Sequence, residues 1–144
     1  MLTIQDISEA SKPGVYSKSN FDLSSISKIC NDIQLPVLYI TFDDINEVLI
    51  NGLAKHSTVS VAKIAKGLAS PDDWKRLVDA SKKMQKADLY LKGNISGLDE
   101  INAAISEGVK HLNIEHVFVS GEINALELDK MAAIHDVKII VPKA

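Results

Sequence analysis

A buried-strand pattern in the middle of the sequence constrains the fold more than any other feature. Pro36 is followed by the nearly continuous apolar run 37–42, in which β-branched and aromatic residues are common. A strand that lacks polar alternation is buried on both faces, as in a parallel sheet covered by helices. Asp43 and Asp44 end this run and precede a segment with helical periodicity. The pattern therefore predicts a strand followed by a crossover helix.

The same alternation of strand and helix patterns continues along the chain. Further strands are predicted at 89–91, 117–119 and 137–141, with a weak one at 2–7. Helices are predicted at 21–33, 45–55, 57–67, 70–86, 97–112 and 123–135. Ser11–Asn20 is predicted as a polar loop. Because parallel strands need helical crossovers, we expect a three-layer α/β fold with a mainly parallel sheet, in a single domain covering 1–144.

Composition and charge exclude several functional classes. Of the 144 residues, 46% are hydrophobic and 24% are charged, which is typical of a globular protein. The net charge of −3 disfavours direct nucleic-acid binding driven by the protein's own charge. Arg76 is the only arginine among 16 basic residues, so few bidentate phosphate contacts are available. The sequence shows neither a membrane span nor a signal-peptide pattern, and we expect a cytoplasmic protein.

The segment Ser17-Lys18-Ser19 is similar to the end of a phosphate-binding loop. In the motif GxxxxGK[ST], backbone N–H groups surround the phosphates, the lysine contacts the β- and γ-phosphates, and the hydroxyl binds Mg²⁺. Lys18 and Ser19 fit the last two positions, whereas Ser17 and Lys12 stand where the two glycines belong. Two interpretations remain open: a vestigial site for ATP or ADP with Mg²⁺, or a solvated loop.

Polar residues also follow two of the predicted strands. Asp43 and Asp44 come after the strand 37–42, and Ser120 follows the strand 117–119. Open α/β sheets bind ligands at the carboxyl ends of their strands, so these three residues are candidates for a cleft at that edge. Helix capping is the alternative role for both aspartates and for the segment that begins at Ser120.

Other chemically active residues show no site pattern. The four histidines lack the spacing of metal ligands, and no GxSxG motif or cysteine–base pair indicates a nucleophilic enzyme. We therefore predict no metal site and no catalytic residue. Cys30 lies on an apolar helical face and is predicted to be buried. Trp74 shares a helical stripe with Leu77 and Val78 and is predicted to anchor the core.

Several of these segments together resemble the RecA-like motor domain of the DnaB family of bacterial and phage replicative helicases. The run 36–43 is similar to the strand that follows the P-loop helix in that family, and 88–91 is similar to its next strand. The resemblance implies a shortened RecA-like fold. Its most specific part is the spacing of Lys63-Ile64, Gly67 and Asp72-Asp73-Trp74.

The resemblance also implies that the chemistry of the motor is lost. Both P-loop glycines are absent, Asp43 stands in place of the family's catalytic glutamate, and Ser120 stands where the Walker B aspartate belongs. The family's DNA-binding loops and arginine finger are expected beyond the last predicted strand. Removing groups that stabilise transition-state charge lowers rates by roughly 10²–10⁵. We therefore expect no useful ATP hydrolysis.

The sequence is compatible with three functional hypotheses. The first is a non-catalytic RecA-like domain that binds a protein partner, such as a replicative helicase, as an accessory or regulator of DNA replication. The second is a nucleotide-controlled switch in which Lys18, Ser19 and Asp43 contact ATP or ADP without hydrolysing it. The third is an α/β domain that binds a small ligand in a strand-end cleft beside Asp43, Asp44 and Ser120.

Overall fold

The computed structural model describes residues 13–18, 21–121 and 123–142, and these contain five strands and six helices. The strand predicted at 2–7 lies outside the described residues. The strands are β1 (Gly14–Lys18), β2 (Val37–Thr41), β3 (Leu89–Lys92), β4 (His116–Ser120) and β5 (Lys138–Pro142). The helices are α1 (Leu23–Ile33), α2 (Ile45–Ser57), α3 (Val61–Lys66), α4 (Pro71–Lys86), α5 (Leu98–Leu112) and α6 (Ala125–His135).

The five strands form one parallel sheet in the order β1-β5-β4-β2-β3. Thr41 at the end of β2 lies opposite Ser120 at the end of β4, and Lys18 of β1 lies opposite Pro142 of β5. Because every strand runs in the same direction, all five carboxyl ends lie along one edge of the sheet.

Helices cover both faces of this sheet. Along β2, Leu38 and Ile40 pack with residues of α5 and α6, whereas Val37 and Tyr39 pack with residues of α1. All five residues of β2 are buried, as the continuous apolar run predicts. The predicted three-layer α/β fold with a parallel sheet is confirmed.

Cys30 belongs to the core on the α1 side of the sheet and is only 1% exposed. Its Sγ donates to the carbonyl oxygen of Leu35 at 3.3 Å. Burial raises the pKa of the Cys30 thiol. The prediction that this cysteine is buried is confirmed.

The start of α4 also follows the sequence prediction. Ser70 is the N-cap and its side chain accepts from the Asp73 N–H, while Pro71 occupies the first turn, where its missing N–H costs no hydrogen bond. The preceding helix, α3, ends at Gly67 with a φ of 68°. This left-handed conformation suits glycine, which has no side chain to clash.

Two expectations about individual segments are wrong. The sequence pattern places Gly14–Lys18 within a polar loop, but this segment forms the edge strand β1, because its backbone pairs with β5 despite its polar side chains. Trp74 does not anchor the core, since it is 56% exposed and Val78 is 47% exposed. Leu77 in the same helix is buried. The buried stripe of α4 is therefore narrower than its apolar stripe.

Candidate functional site

The carboxyl edge of the sheet brings some predicted site residues together and separates others. Ser120 lies opposite Thr41, and Asp43 follows two residues later. Lys18 lies opposite Pro142, so strands β5 and β4 stand between Lys18 and β2. With neighbouring strands about 4.8 Å apart, the backbones of Lys18 and Thr41 are separated by about 14 Å. Asp43 and Ser120 are neighbours, whereas Lys18 lies at the far end of this edge.

Lys18 and Ser19 do not open a helix, as the last two residues of a P-loop do. Lys18 is the final residue of β1, and its side chain and all of Ser19 lie outside the described residues. Helix α1 begins only at Leu23. The four intervening residues, 19–22, include no glycine. The strand and helix boundaries therefore disagree with placing Lys18-Ser19 at the GK[ST] position, since Asp22 and Leu23 stand at the helix start.

The amino end of α1, where a P-loop would hold phosphate, carries one of the protein's own carboxylates. Asp22 Oδ1 accepts from the Ser25 N–H at 2.9 Å, and the Asp22 N–H donates to Ser25 Oγ at 2.8 Å. Lys55 of α2 donates to Asp22 Oδ2 at 2.5 Å. Burial raises the pKa of Asp22, but Lys55 and Ser25 outweigh burial and leave the pKa below its ordinary value. Helix amino ends attract anions, and Asp22 already supplies one.

A group of hydroxyls lies on the α1 side of the sheet near this helix end. The hydroxyl of Tyr39 is within hydrogen-bonding reach of the Ser120 and Thr41 side chains. Burial raises the pKa of Tyr39, and the charges of Asp43 and Asp22 raise it further. Thr41 is fully buried, and its Oγ1 accepts from the Asp43 N–H at 3.1 Å. The Ser120 hydroxyl is therefore engaged by a neighbour within the protein.

Three aromatic rings pack beside these hydroxyls. Phe21, just before α1, meets Phe118 edge to face with ring centroids 5.2 Å apart, and meets Tyr39 in the same manner at 6.2 Å. Such pairs contribute roughly 0.5–1.5 kcal/mol beyond the burial of their surface. The segment that leads into α1 thus packs a large side chain onto the sheet, where a P-loop would wrap phosphates in glycine backbone.

The two aspartates after β2 have different surroundings. Asp44 caps α2, because its Oδ1 accepts from the N–H groups of Asn46 at 2.9 Å and Glu47 at 3.2 Å. Asp43 is exposed. Of the three residues predicted for a strand-end cleft, Asp44 is engaged in capping and Ser120 in the hydroxyl group, which leaves the Asp43 carboxylate facing solvent.

Asn94, which the sequence analysis did not single out, ties the end of β3 to the end of β2. Its N–H donates to the carbonyl oxygen of Asp43 at 3.0 Å, and its Oδ1 accepts from the Ile45 N–H at 2.9 Å. Its φ of 57° lies in the left-handed region that asparagine tolerates. The Gly93-Asn94 dipeptide, a common turn sequence, is the signal that could have identified this position.

The described residues include no group of three or more His, Cys, Asp or Glu side chains that could hold a metal ion. Glu122, in the segment after β4, lies outside that part of the chain. Among the helices that the structure describes, none combines the length and apolar character needed to cross a membrane.

A charged network, here called the α3–α4 clasp, joins Lys63, Ser70, Asp73 and Arg76. Asp73 is buried, and its Oδ2 accepts from the Ser70 N–H at 3.1 Å and from Lys63 Nζ at 3.3 Å. Arg76 donates to Asp73 Oδ1 and to Thr58 Oγ1. The Ser70 N–H, with Lys63 and Arg76, holds the pKa of Asp73 well below its ordinary range despite burial. The single arginine thus has a structural role.

An apolar groove lies between α2, α3 and α4, next to the clasp. Its volume is about 280 Å³, and its apolar lining includes Leu53, Ile64, Trp74, Leu77 and Val78. Exposed apolar side chains that cluster in one place mark interaction surfaces. Sequence reasoning missed this groove because it assigned the apolar stripe of α4 to the core.

Known proteins are similar to this chain in structure, whereas no protein family and no curated protein matches its sequence. The ATPase domain of a DnaB-like helicase matches with a TM-score of 0.65 and 14% identity, over 92% of this chain and 57% of that chain. This chain therefore spans little more than half of that structure. The type III effector HopBA1 matches 96% of this chain and 69% of that chain at 11% identity, but its TM-score of 0.29 carries no argument. The first match shows a RecA-like α/β fold, as predicted.

Proposed function

We propose that this chain is a RecA-like domain without ATPase activity that acts by binding another protein. The amino end of α1 is the observation that carries the proposal. Asp22 caps this helix with a carboxylate, and Leu23 stands where an ATPase needs its phosphate-binding lysine. A nucleotide phosphate placed there would meet a negative charge and an apolar side chain.

The other positions give hydrolysis no better support. Phosphoryl transfer depends on Mg²⁺, a lysine and usually an arginine to stabilise the transferring group. Arg76 is held by Asp73 and Thr58. Ser120 is engaged by Tyr39 and has no carboxylate to bind Mg²⁺. Each missing group lowers the rate by roughly 10²–10⁵, so their combined loss leaves no useful turnover.

The apolar groove favours a protein partner. Trp74 and Val78 expose about half of their surface in one place, and aromatic residues supply much of the binding energy at protein interfaces. We name as partner the RecA-like domain of a replicative helicase, beside which this chain would occupy a subunit-like position and regulate DNA replication. The support for this partner is similarity of shape to an ATPase domain.

The first experiment is a light-scattering titration against a purified replicative helicase, with wild type and two variants. We expect a complex at micromolar concentration that Trp74→Ala weakens roughly tenfold or more, as for an interface hot spot. Leu126→Ala is the matched control, because Leu126 is 70% exposed but lies on α6, on the opposite face of the sheet. Absence of a complex, or equal weakening by both variants, would contradict the proposal.

A second experiment tests the absence of nucleotide binding. Calorimetric titration with ATP and with ADP, in the presence of Mg²⁺, should give no saturable binding at millimolar ligand. Micromolar binding that disappears in Lys18→Ala would instead favour the nucleotide switch, in which Lys18, Ser19 and Asp43 contact the ligand.

A further inference from the structure

A second cleft, separate from both the carboxyl edge and the apolar groove, lies among α1, α2 and α4. Its volume is about 430 Å³, within the range of small-ligand sites. The described side chains that line it are all polar or charged, and most are cationic: Lys28, Asn31, Lys55, His56, Lys83 and Lys86. We refer to it as the cationic cleft.

The positive charge of this cleft is largely uncompensated. Its lining includes no carboxylate, and Lys55 is paired with Asp22 outside the lining. In the described part of the chain, Lys28, Lys83 and Lys86 take part in none of the ion pairs. Since the whole protein carries a net charge of −3, this concentration of lysines is a local feature.

The environment of His56 is consistent with an unbalanced positive field. Its Nδ1 lies 2.6 Å from Ser24 Oγ, which fixes the ring at the wall of the cleft. Burial lowers the pKa of His56, and the charges of Lys28 and Lys83 lower it further. A negatively charged occupant would relieve this repulsion among the cations.

Helix dipoles account for only part of the arrangement. Lys55, Lys83 and Lys86 lie in the last turns of their helices, where cations are favoured on any surface helix. Lys28 lies in the middle of α1 and has no such reason to be basic. The dipole effect also gives no reason for cations of three separate helices to face the same concavity.

We propose that the cationic cleft binds a small anion that carries two or more phosphate groups. Several lysines can surround such a ligand, because each ammonium group acts as a mobile point charge that does not require a planar partner. The lining has no aromatic ring on which a nucleobase could stack. The phosphates, and not a base, are therefore the recognised group. This inference depends on neither the fold similarity nor the proposed protein partner.

Calorimetric titration of the full chain with inorganic pyrophosphate, without Mg²⁺ and at about 50 mM NaCl to limit screening, tests the proposal. We expect one saturable site, which the double variant Lys28→Ala/Lys83→Ala weakens roughly tenfold or more. The control Lys75→Ala/Lys82→Ala removes the same charge from exposed positions of α4 outside the cleft and should change affinity by less than about twofold.

Three outcomes would overturn the proposal: no saturable binding, equal weakening by both double variants, or binding of a ten-residue oligothymidylate without binding of pyrophosphate. The last result would assign the cleft to single-stranded nucleic acid. Thermal unfolding of each variant checks that it is folded. Should the first double variant fail to fold, the charge reversal Lys86→Glu supplies the same test, and unchanged pyrophosphate affinity in that variant would also overturn the proposal.

Discussion

The α3–α4 clasp and the amino end of α1 differ in how they relate to the family pattern. At the clasp the pattern is kept, and each residue has a structural role: Lys63 and Asp73 pair, and Gly67 ends α3 with a positive φ. At α1 the pattern is lost, and Asp22 and Phe21 cap and pack the helix. The most specific similarity thus lies where residues stabilise the fold, and it carries no argument for ATPase activity.

The largest effect is expected where the carboxyl edge is packed. Phe118→Ala removes the ring that meets Phe21, and the free energy of unfolding should fall by about 3–5 kcal/mol. Urea unfolding followed by circular dichroism measures the change, and Leu126→Ala should alter stability by less than about 0.5 kcal/mol. A loss below about 1 kcal/mol for Phe118→Ala would mean that this region is an open crevice, as in a ligand site.

A smaller but clear effect is expected at the clasp. Asp73→Asn removes the charge that pairs with Lys63 and Arg76, whereas Asp72→Asn removes an exposed charge from the same helix turn. The thermal midpoint should fall by several degrees for Asp73→Asn and change little for Asp72→Asn. Equal midpoints for the two variants would show that the clasp contributes nothing to stability and that its spacing needs another explanation.

The clasp should also respond to acid. Because the pKa of Asp73 is lowered in the folded state, the unfolded chain binds the proton more readily, and stability falls as pH decreases. The contribution is complete above the ordinary carboxyl pKa of about 4 and is lost as pH falls towards the lowered value. Between about pH 5 and 3, wild type should lose stability more steeply than Asp73→Asn. Parallel pH profiles would contradict this.

The smallest effects separate the two aspartates after β2. Asp44→Ala removes the cap of α2 and should cost about 1 kcal/mol. Asp43→Ala changes an exposed side chain and should cost less than about 0.5 kcal/mol. Urea unfolding of both variants gives the comparison. If Asp43→Ala were the more damaging of the two, the assignment of capping to Asp44 alone would be wrong.

Much of the fold could be predicted because hydrophobic burial leaves periodic patterns. The run 37–42 indicated a buried parallel strand, and Ser70-Pro71 marked the start of α4. The strand β1 could not be recognised in this way, since Gly14–Lys18 is a polar edge strand held by backbone pairing with β5. Without that strand, the position of Lys18 relative to α1 could not be predicted either.

The candidate sites were harder to predict, because they depend on tertiary neighbours. The exposure of Trp74 follows from how far α3 stands from α4, which no local pattern encodes. The cationic cleft combines Lys28 with Lys83 across 55 positions of sequence, and each lysine alone is typical of a helix surface. The strand-end residues Asp43, Asp44 and Ser120 were found from sequence, but their hydrogen-bonding partners were not.

The burial of Cys30 gives the protein an internal reporter of local opening. The thiol lies between α1 and the sheet, and its burial disfavours the thiolate that reacts with alkylating reagents. A reagent can reach Cys30 only after α1 separates from the sheet, so the labelling rate measures the free energy of that separation. Because Cys30 is the only cysteine in the sequence, the wild-type protein yields this value for α1 without any substitution.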